Sequence, residues 1–438
     1  MGLFNPALGG EDQPGVPRNG GSGEAEDEHG GAVESQTEPG SPGGRPPVAV
    51  EPPRILTDRR LRVWGIGLAA AFWLPAFGAA ALQFWDFAAF YSAGALVGRS
   101  NLSQLAPVVA YQVERGLQPT PFVNPPAYAL LYAPLAHLPY DVAGYLALAI
   151  MAALLLVAVE YGRRPFGVPQ RVAFIGALAW PPAAAGVVSG QSSALALSLV
   201  VVVMAGLGRS STRGSVLAGL AVGAMAYKPQ LAAALLVLLL VRGDWRALMA
   251  SMAGVGALYL GSVAATGGNW GWPSDWLATI QTYVGPDVAE NGWQAISLAG
   301  LGGRLGVPVL PYLVGGLLFI YMLPQLRSRP VYEAVALVCA LGLVASPHAW
   351  VYEATLLLPA LAMLRSNRRA IVATYLLAAA WPACALLGWQ PLALAVAVAP
   401  LLLVRSGHSH NSAGIWPDRR GRSTESAAGR QSPTPELE

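Results

Sequence analysis

The amino-acid sequence predicts an all-α integral membrane protein, a polytopic bundle of about twelve transmembrane helices, and three observations carry that expectation. Charge is segregated: between residues 61 and 405 only 28 of 345 residues are charged, whereas the other 93 of the 438 hold 23. The chain is 54% hydrophobic with a mean hydropathy of +0.47, and a soluble domain would carry about a quarter of its residues charged. The apolar runs are also interrupted at a regular cadence by arginines, which mark the cytoplasmic ends of membrane spans. A net charge of +3, with arginines scattered over the ends of apolar runs, excludes a nucleic-acid-binding surface. Cys339 and Cys384 lie in apolar stretches with no pairing or ligand spacing, so neither a disulfide nor a zinc framework is expected.

Residues 1–58 are rich in Gly, Pro, Glu and Ser and bury too little apolar surface to offset the entropy of ordering. They read as a disordered cytoplasmic tail, as does the polar stretch 406–438, and residues 59–405 form the transmembrane domain. The run from Leu61 to Leu82 serves as first span and insertion signal. With both termini inside, fourteen of the seventeen arginines between 61 and 405 face the cytoplasm. Crossings then begin near residues 62, 141, 172, 192, 214, 230, 246, 308, 331, 349, 370 and 389. Gly214 to Tyr227 and Gln230 to Val241 are each too short to cross ~30 Å at 1.5 Å per residue, and predict two short helices meeting at Lys228-Pro229. Pro126 to Leu138 is likewise short and is expected to enter and leave from the outer side.

Two outward loops, the first and the fourth, are long: Gln83 to Asn124 and Gly267 to Gly306. In the first, Leu102, Leu105, Ala106, Val109 and Val113 share one helical face, predicting an interfacial helix. The second carries Trp270, Trp272, Trp276 and Trp293, as interfacial anchors or as a sugar-stacking surface.

Those loops also hold the residues that can carry chemistry. Asp86 lies beyond the first span among Phe84, Trp85, Phe87 and Phe90; desolvation there raises a carboxyl toward the working pH of a general base, and the same position suits an acidic helix cap. Lys228 is the only lysine in the chain. An intramembrane cation requires an anionic partner; a lipid phosphate is one, and snorkelling to the headgroups is the alternative. Arg304, near the end of a helix-like stretch from Gln294 to Leu305, offers a guanidinium for two-point contact with phosphate, and Arg99 and Arg115 could serve instead. His348 and Glu353 flank Trp350 at the outer end of a span, either as sugar ligands or as structural groups. There is no Walker loop, dinucleotide fingerprint, paired-histidine motif or nucleophile elbow. Gly219 and Gly223 are helix-packing positions.

In order, Asp86 with Phe90-Tyr91-Ser92-Ala93-Gly94, Asn124-Pro125-Pro126, Ala129-Leu130-Leu131-Tyr132-Ala133-Pro134, Gly190-Gln191, Lys228-Pro229, Ser297-Leu298-Ala299-Gly300, and Ser346-Pro347 with Trp350 resemble glycosyltransferase family 87 over about residues 62–400. That family comprises polyprenyl-phosphate-sugar-dependent enzymes of the GT-C superfamily. The resemblance implies a multi-pass plasma-membrane enzyme with its active site on the extracytoplasmic side. It would transfer mannose, or arabinofuranose in some members, with inversion, from a polyprenyl-phosphate sugar donor to a cell-envelope glycolipid or polysaccharide acceptor. By the same resemblance Asp86 is the general base, Lys228 and Arg304 bind the donor phosphate, and Tyr91, Asn124, Gln191, Gln294, His348, Trp350 and Glu353 line the substrate site. No cofactor is expected, and no carboxylate cluster for a divalent metal is evident. A transporter or flippase of lipid-linked sugars, or a glycan ligase or polymerase, would use similar parts; the absence of an internal repeat argues against the transporter.

The topology makes a direct prediction. With the two native thiols removed, Asp86→Cys should react with an impermeant thiol reagent added outside intact cells; labelling confined to opened cells would invert the assignment.

Overall fold

The computed structural model describes residues 59–83, 85–304, 306–307, 309–387 and 391–406; the expected tails, 1–58 and 407–438, lie outside the described residues. The regular elements are helical. In chain order they are α1 (Arg59–Gln83), α2 (Trp85–Ala95), α3 (Leu105–Glu114), α4 (Tyr140–Gly162), α5 (Gln170–Leu178), α6 (Pro181–Val188), α7 (Ser193–Gly208), α8 (Thr212–Ala224), α9 (Pro229–Arg242), α10 (Trp245–Ala265), α11 (Trp272–Asn291), α12 (Leu298–Arg304), α13 (Leu310–Ser328), α14 (Val331–Ala345), α15 (Leu358–Met363), α16 (Arg368–Leu386) and α17 (Pro391–Ser406). Tighter 3-10 turns fill Pro126–Leu131, Leu135–His137, Met225–Tyr227 and Val351–Leu357.

Helix starts follow the arginine and proline punctuation closely. The crossing expected from residue 349 instead opens as the 3-10 turn Val351–Leu357 and continues as α15. By length and composition three helices can cross a bilayer, Tyr140–Phe166, Trp245–Ala265 and Leu310–Ser328; α5 and α6, bent by 65°, make a fourth if taken as one span. Shorter apolar helices, among them α7, α9, α14 and α17, contribute deeply buried core residues, including Leu197, Leu238, Leu239 and Leu343.

The bundle has two chemically distinct ends. At one, Arg242 donates to the carbonyls of Leu326 and Arg329 (3.1 and 3.0 Å), and Arg329 donates to Val404 O (2.7 Å) and to Glu333 (3.2 Å). Phe166 packs edge-on against Tyr332, and Ser215 donates to Asp244, so α4, α8, α9, α13, α14 and α17 bring their arginine-bearing ends together. At the other end lie Lys228, the Ser346–Glu353 segment and both long loops. The short run from Pro126 docks there on the C-terminal end of α10, where the Ala127 amide donates to Ser262 Oγ (2.9 Å).

Helices α8 and α10 pack at backbone distance. A Cβ on Gly219 would strike Ala247 O, and one on Gly223 would stand 2.6 Å from Ser251 O. Small residues permit this approach, which dispersion and weak contacts stabilise in a bilayer. In the first long loop the expected helix is present as α3; Val108 and Gln112 are its buried positions, while Ala106 and Val113, on the face expected to lie in the interface, are exposed. The Gln112 amide turns inward because it donates to Thr120 O and accepts from Thr120 N (2.9 and 2.8 Å), closing the loop. In the second loop the helix expected from Gln294 begins only at Leu298, after a 3-10 turn, Gly292–Gln294.

Gly219→Leu should force α8 from α10 at a cost of about 1–3 kcal/mol or more, read as a lowered unfolding midpoint in detergent. An unchanged midpoint would show that the two helices can separate freely.

Candidate functional site

The site forms where the α8–α9 apex meets the chain leaving α14. A residue before proline is held out of the helical region, so Lys228 (φ −122°, ψ 82°) ends one short helix while Pro229 opens the next. The apex is tied down on both flanks. Tyr227 donates its hydroxyl to Ser192 O (3.0 Å), Asn124 Nδ2 donates to Tyr227 O (3.3 Å), and Tyr128 stacks on the Tyr227 ring at 4.6 Å.

Lys228 Nζ lies 2.9 Å from Glu353 Oε1, and both side chains are buried. This is the anionic partner that an intramembrane lysine requires, and the chain supplies it itself. The second oxygen of Glu353 accepts the Trp350 amide at 3.0 Å, so one carboxylate serves both as counter-ion and as cap of the turn it begins. Lys228 Nζ also sits 5.2 Å from the Tyr352 ring centroid, a cation–π distance.

Asp86 occupies the first turn of α2, so it is a helix-start acid and a site residue at once. Its amide donates to Ser189 O at 3.2 Å. Gly190, at φ +78°, lets the loop approach: a Cβ there would be 2.8 Å from Phe87 Cβ. The Gly190-Gln191 pair thus places Gln191 against the carboxyl. Burial pushes the Asp86 carboxyl above its ordinary value, and the nearby Asp287 charge acts in the same direction; hydrogen bonding from Gln191, the Lys228 charge and Ser189 oppose this.

Asp287, in α11, completes the cluster. It is 4% exposed; Oδ1 accepts from Asn291 (2.8 Å), while Oδ2 has no hydrogen-bond partner and lies 3.7 Å from His348 Nδ1. Burial holds the His348 imidazole below its ordinary value, against the pull of Glu353 and Asp287, and leaves it mostly neutral above pH 7. The segment carrying His348 is pinned by Ser346, whose hydroxyl donates to His348 O (2.7 Å), and by Gln230, which donates to the same carbonyl (3.3 Å). Ile296 N donates to Ala349 O (2.9 Å) beside the Ala295–Trp350 bridge, tying the second long loop to this segment. His348 also packs edge-on against Trp350, with centroids 4.4 Å apart.

Of the residues singled out in the sequence, Asp86, Gln191, Lys228, His348, Trp350 and Glu353 converge here. Asn124 supports the apex, and Gln294 lies in the turn before the Ala295 bridge. Tyr91 belongs to an aromatic cluster with Phe87 and Tyr140 and donates to Leu138 O (2.8 Å), a packing role. Arg304 ends α12, and its side chain lies outside the described residues. Trp272 and Trp276 pack inside the second loop, Trp276 donating to Val123 O (2.9 Å), whereas Trp270 and Trp293 are exposed. Asp287 was missed; the sequence distinguishes it from Asp275 and Glu290 of the same loop by nothing local. Asp275 turns out to be structural, accepting from Asn101 (3.0 Å) and Asn269 (2.9 Å). Among the described residues no three His, Cys, Asp or Glu side chains form a group able to hold a metal ion.

The family model for glycosyltransferase family 87 matches residues 122–366, more than half of the chain and all of the site except Asp86 and its helix. No curated protein and no solved structure matches.

The ion pair sets a double-variant test. Lys228→Met and Glu353→Gln should each lower the unfolding free energy by about 3–5 kcal/mol, because each leaves a buried charge unpaired. The combined variant, in which the amide oxygen still caps Trp350, should cost less than their sum by about 2 kcal/mol. Additive losses in chemical denaturation would show that the two charges do not interact.

Proposed function

The chain belongs to glycosyltransferase family 87 and is a membrane glycosyltransferase; from that premise we propose that it transfers a single sugar, mannose, from a polyprenyl-phosphate donor to a cell-envelope glycolipid or polysaccharide on the extracytoplasmic side of the plasma membrane. The observation that carries this reading is a raised, partly exposed carboxyl, Asp86, set beside the Lys228–Glu353 pair. In the proposed reaction Asp86 accepts the proton of the acceptor hydroxyl as that oxygen attacks the anomeric carbon. The bond from that carbon to the phosphate oxygen breaks on the opposite face, and its electron pair leaves with polyprenyl phosphate, so configuration inverts. Phosphate is a good leaving group, so cationic stabilisation replaces a general acid and the step calls for no metal or cofactor.

The roles divide by charge. Lys228 is neutralised by Glu353 and would be shared with the donor phosphate on binding, with Arg304 as the second cation. Asp287, His348 and Gln191 offer acceptors and donors suited to sugar hydroxyls, and Trp350 offers a ring face. The two long loops would then cover the sugar, and the arginine-bearing end of the bundle supports an orientation with both termini cytoplasmic.

Purified wild type and Asp86→Asn, reconstituted in liposomes with radiolabelled polyprenyl-phosphate mannose and an envelope glycolipid extract, test the reading. Wild type should move label to the extract and the variant should be slower by about 10²- to 10⁴-fold. The acid limb of the wild-type kcat/KM profile should lie above the ordinary aspartate value, since Asp86 acts deprotonated and its pKa is raised. Equal rates in both proteins would remove Asp86 as the base.

A further inference from the structure

Far from Asp86, at the arginine-bearing end of the bundle, a cavity of about 650 Å³ opens between α1, α4, α5, α7, α15 and α16. Its walls are almost wholly aliphatic, and Trp64 and Leu376 on its lining are 76% and 64% exposed, so it opens sideways, toward the lipid. Four cations line it: Arg62, Arg163, Arg365 and Arg368. Their charges are not equally compensated. Arg163 makes a two-point contact with Glu160 at 2.7 and 2.8 Å, and Arg164 takes the same carboxylate. Arg62 and the half-buried Arg365 have no carboxylate within ion-pair distance among the described residues. An apolar, laterally open cavity whose polar end carries guanidiniums without a described ion-pair partner complements a molecule with hydrocarbon chains and one anionic headgroup.

We propose that this cavity is a binding site for an anionic glycerophospholipid of the leaflet at the arginine-bearing end, with its phosphodiester between Arg62 and Arg365 and its acyl chains along the walls. The occupant is not assigned as the sugar carrier. Helix α9 alone, fourteen residues long, separates this end from Lys228 by roughly 21 Å, so a phosphate held here stands away from Asp86. The site goes beyond the transfer reaction and joins α1 to α5 and α16, with Trp73 Nε1 donating to Leu178 O (2.8 Å) deeper along the same α1–α5 contact.

The full-length protein in detergent tests this by native mass spectrometry and thermal unfolding with dioleoylphosphatidylglycerol or dioleoylphosphatidylcholine. Phosphatidylglycerol should bind and stabilise selectively. Arg62→Gln/Arg365→Gln should weaken its binding about 30-fold, the effect of two arginines at roughly 1 kcal/mol each. Arg209→Gln/Arg213→Gln, at the same end but outside the cavity, should leave it unchanged. Val172→Trp, which fills the cavity without touching a charge, should also abolish binding, and it decides the question if the arginine variant does not fold. Equal binding of phosphatidylcholine, equal loss in both arginine variants, or unaltered binding by Val172→Trp would overturn the assignment. Displacement of phosphatidylglycerol by a polyprenyl monophosphate at lower concentration would overturn it in favour of the carrier lipid.

Discussion

The buried pair between Lys228 and Glu353 is the constraint around which the site end of this protein is arranged. Removing two charges from water costs several kcal/mol per ion and is offset only when geometry and further hydrogen bonds are good. Both conditions are met by spending the second Glu353 oxygen on the Trp350 amide. That double use explains why the chain between α14 and α15 is a 3-10 turn and not a continuous span: an uninterrupted helix would satisfy the Trp350 amide internally and carry Glu353 out of reach of the apex. Through Trp350 the same arrangement reaches Ala295 and Ile296, so the second long loop hangs from the ion pair.

The charge balance around that pair divides the labour of the site. Among the described side chains, Asp86, Asp287 and Glu353 gather around one lysine, and burial lowers the pKa of His348. Without a ligand the cluster is therefore acidic on balance. An acidic cluster is good at accepting from sugar hydroxyls and at taking a proton, and poor at attracting a phosphate unaided. The donor phosphate in the proposed reaction accordingly draws on a cation outside the cluster, which is the part given to Arg304. Burial, with a lesser push from the Asp287 charge, raises the Asp86 carboxyl above the ordinary aspartate value, the direction a base working near neutrality requires.

The parts that can be read from the sequence are those set by one-dimensional chemistry. Arginine spacing marks the helix ends because positive charge is retained on one side, and Lys228-Pro229 marks the apex because proline restricts the residue before it. The convergence of Asp86, Gln191, Lys228 and Glu353 was visible only as side and clustering. The identity of the lysine's partner depends on a contact across 125 residues. Asp287 carries no local signature, since its role comes from burial against His348. Nor does periodicity reveal that α3 buries Gln112, because its amide is satisfied by Thr120 and no apolar pattern records that contact.

Helix length fixes the depth at which this chemistry operates. Helix α4 has 23 residues and α10 has 21, enough to cross ~30 Å of hydrocarbon. Helices α9 and α14 run between the arginine-bearing end and the site, α9 leaving Lys228 and α14 reaching Ser346, and have 14 and 15 residues, so they span only about 21–23 Å. On those lengths the ion pair lies nearer the arginine-bearing end than the far ends of α4 and α10 do. For the lipid-linked donor proposed above, whose phosphate would lie at the headgroup level, such a position would let the hydrocarbon tail remain in the bilayer while the sugar reaches inward to Asp86. The shortness of α8 and α9, which first looked like a failure to span, is in this reading what brings the reaction to the depth of its substrate.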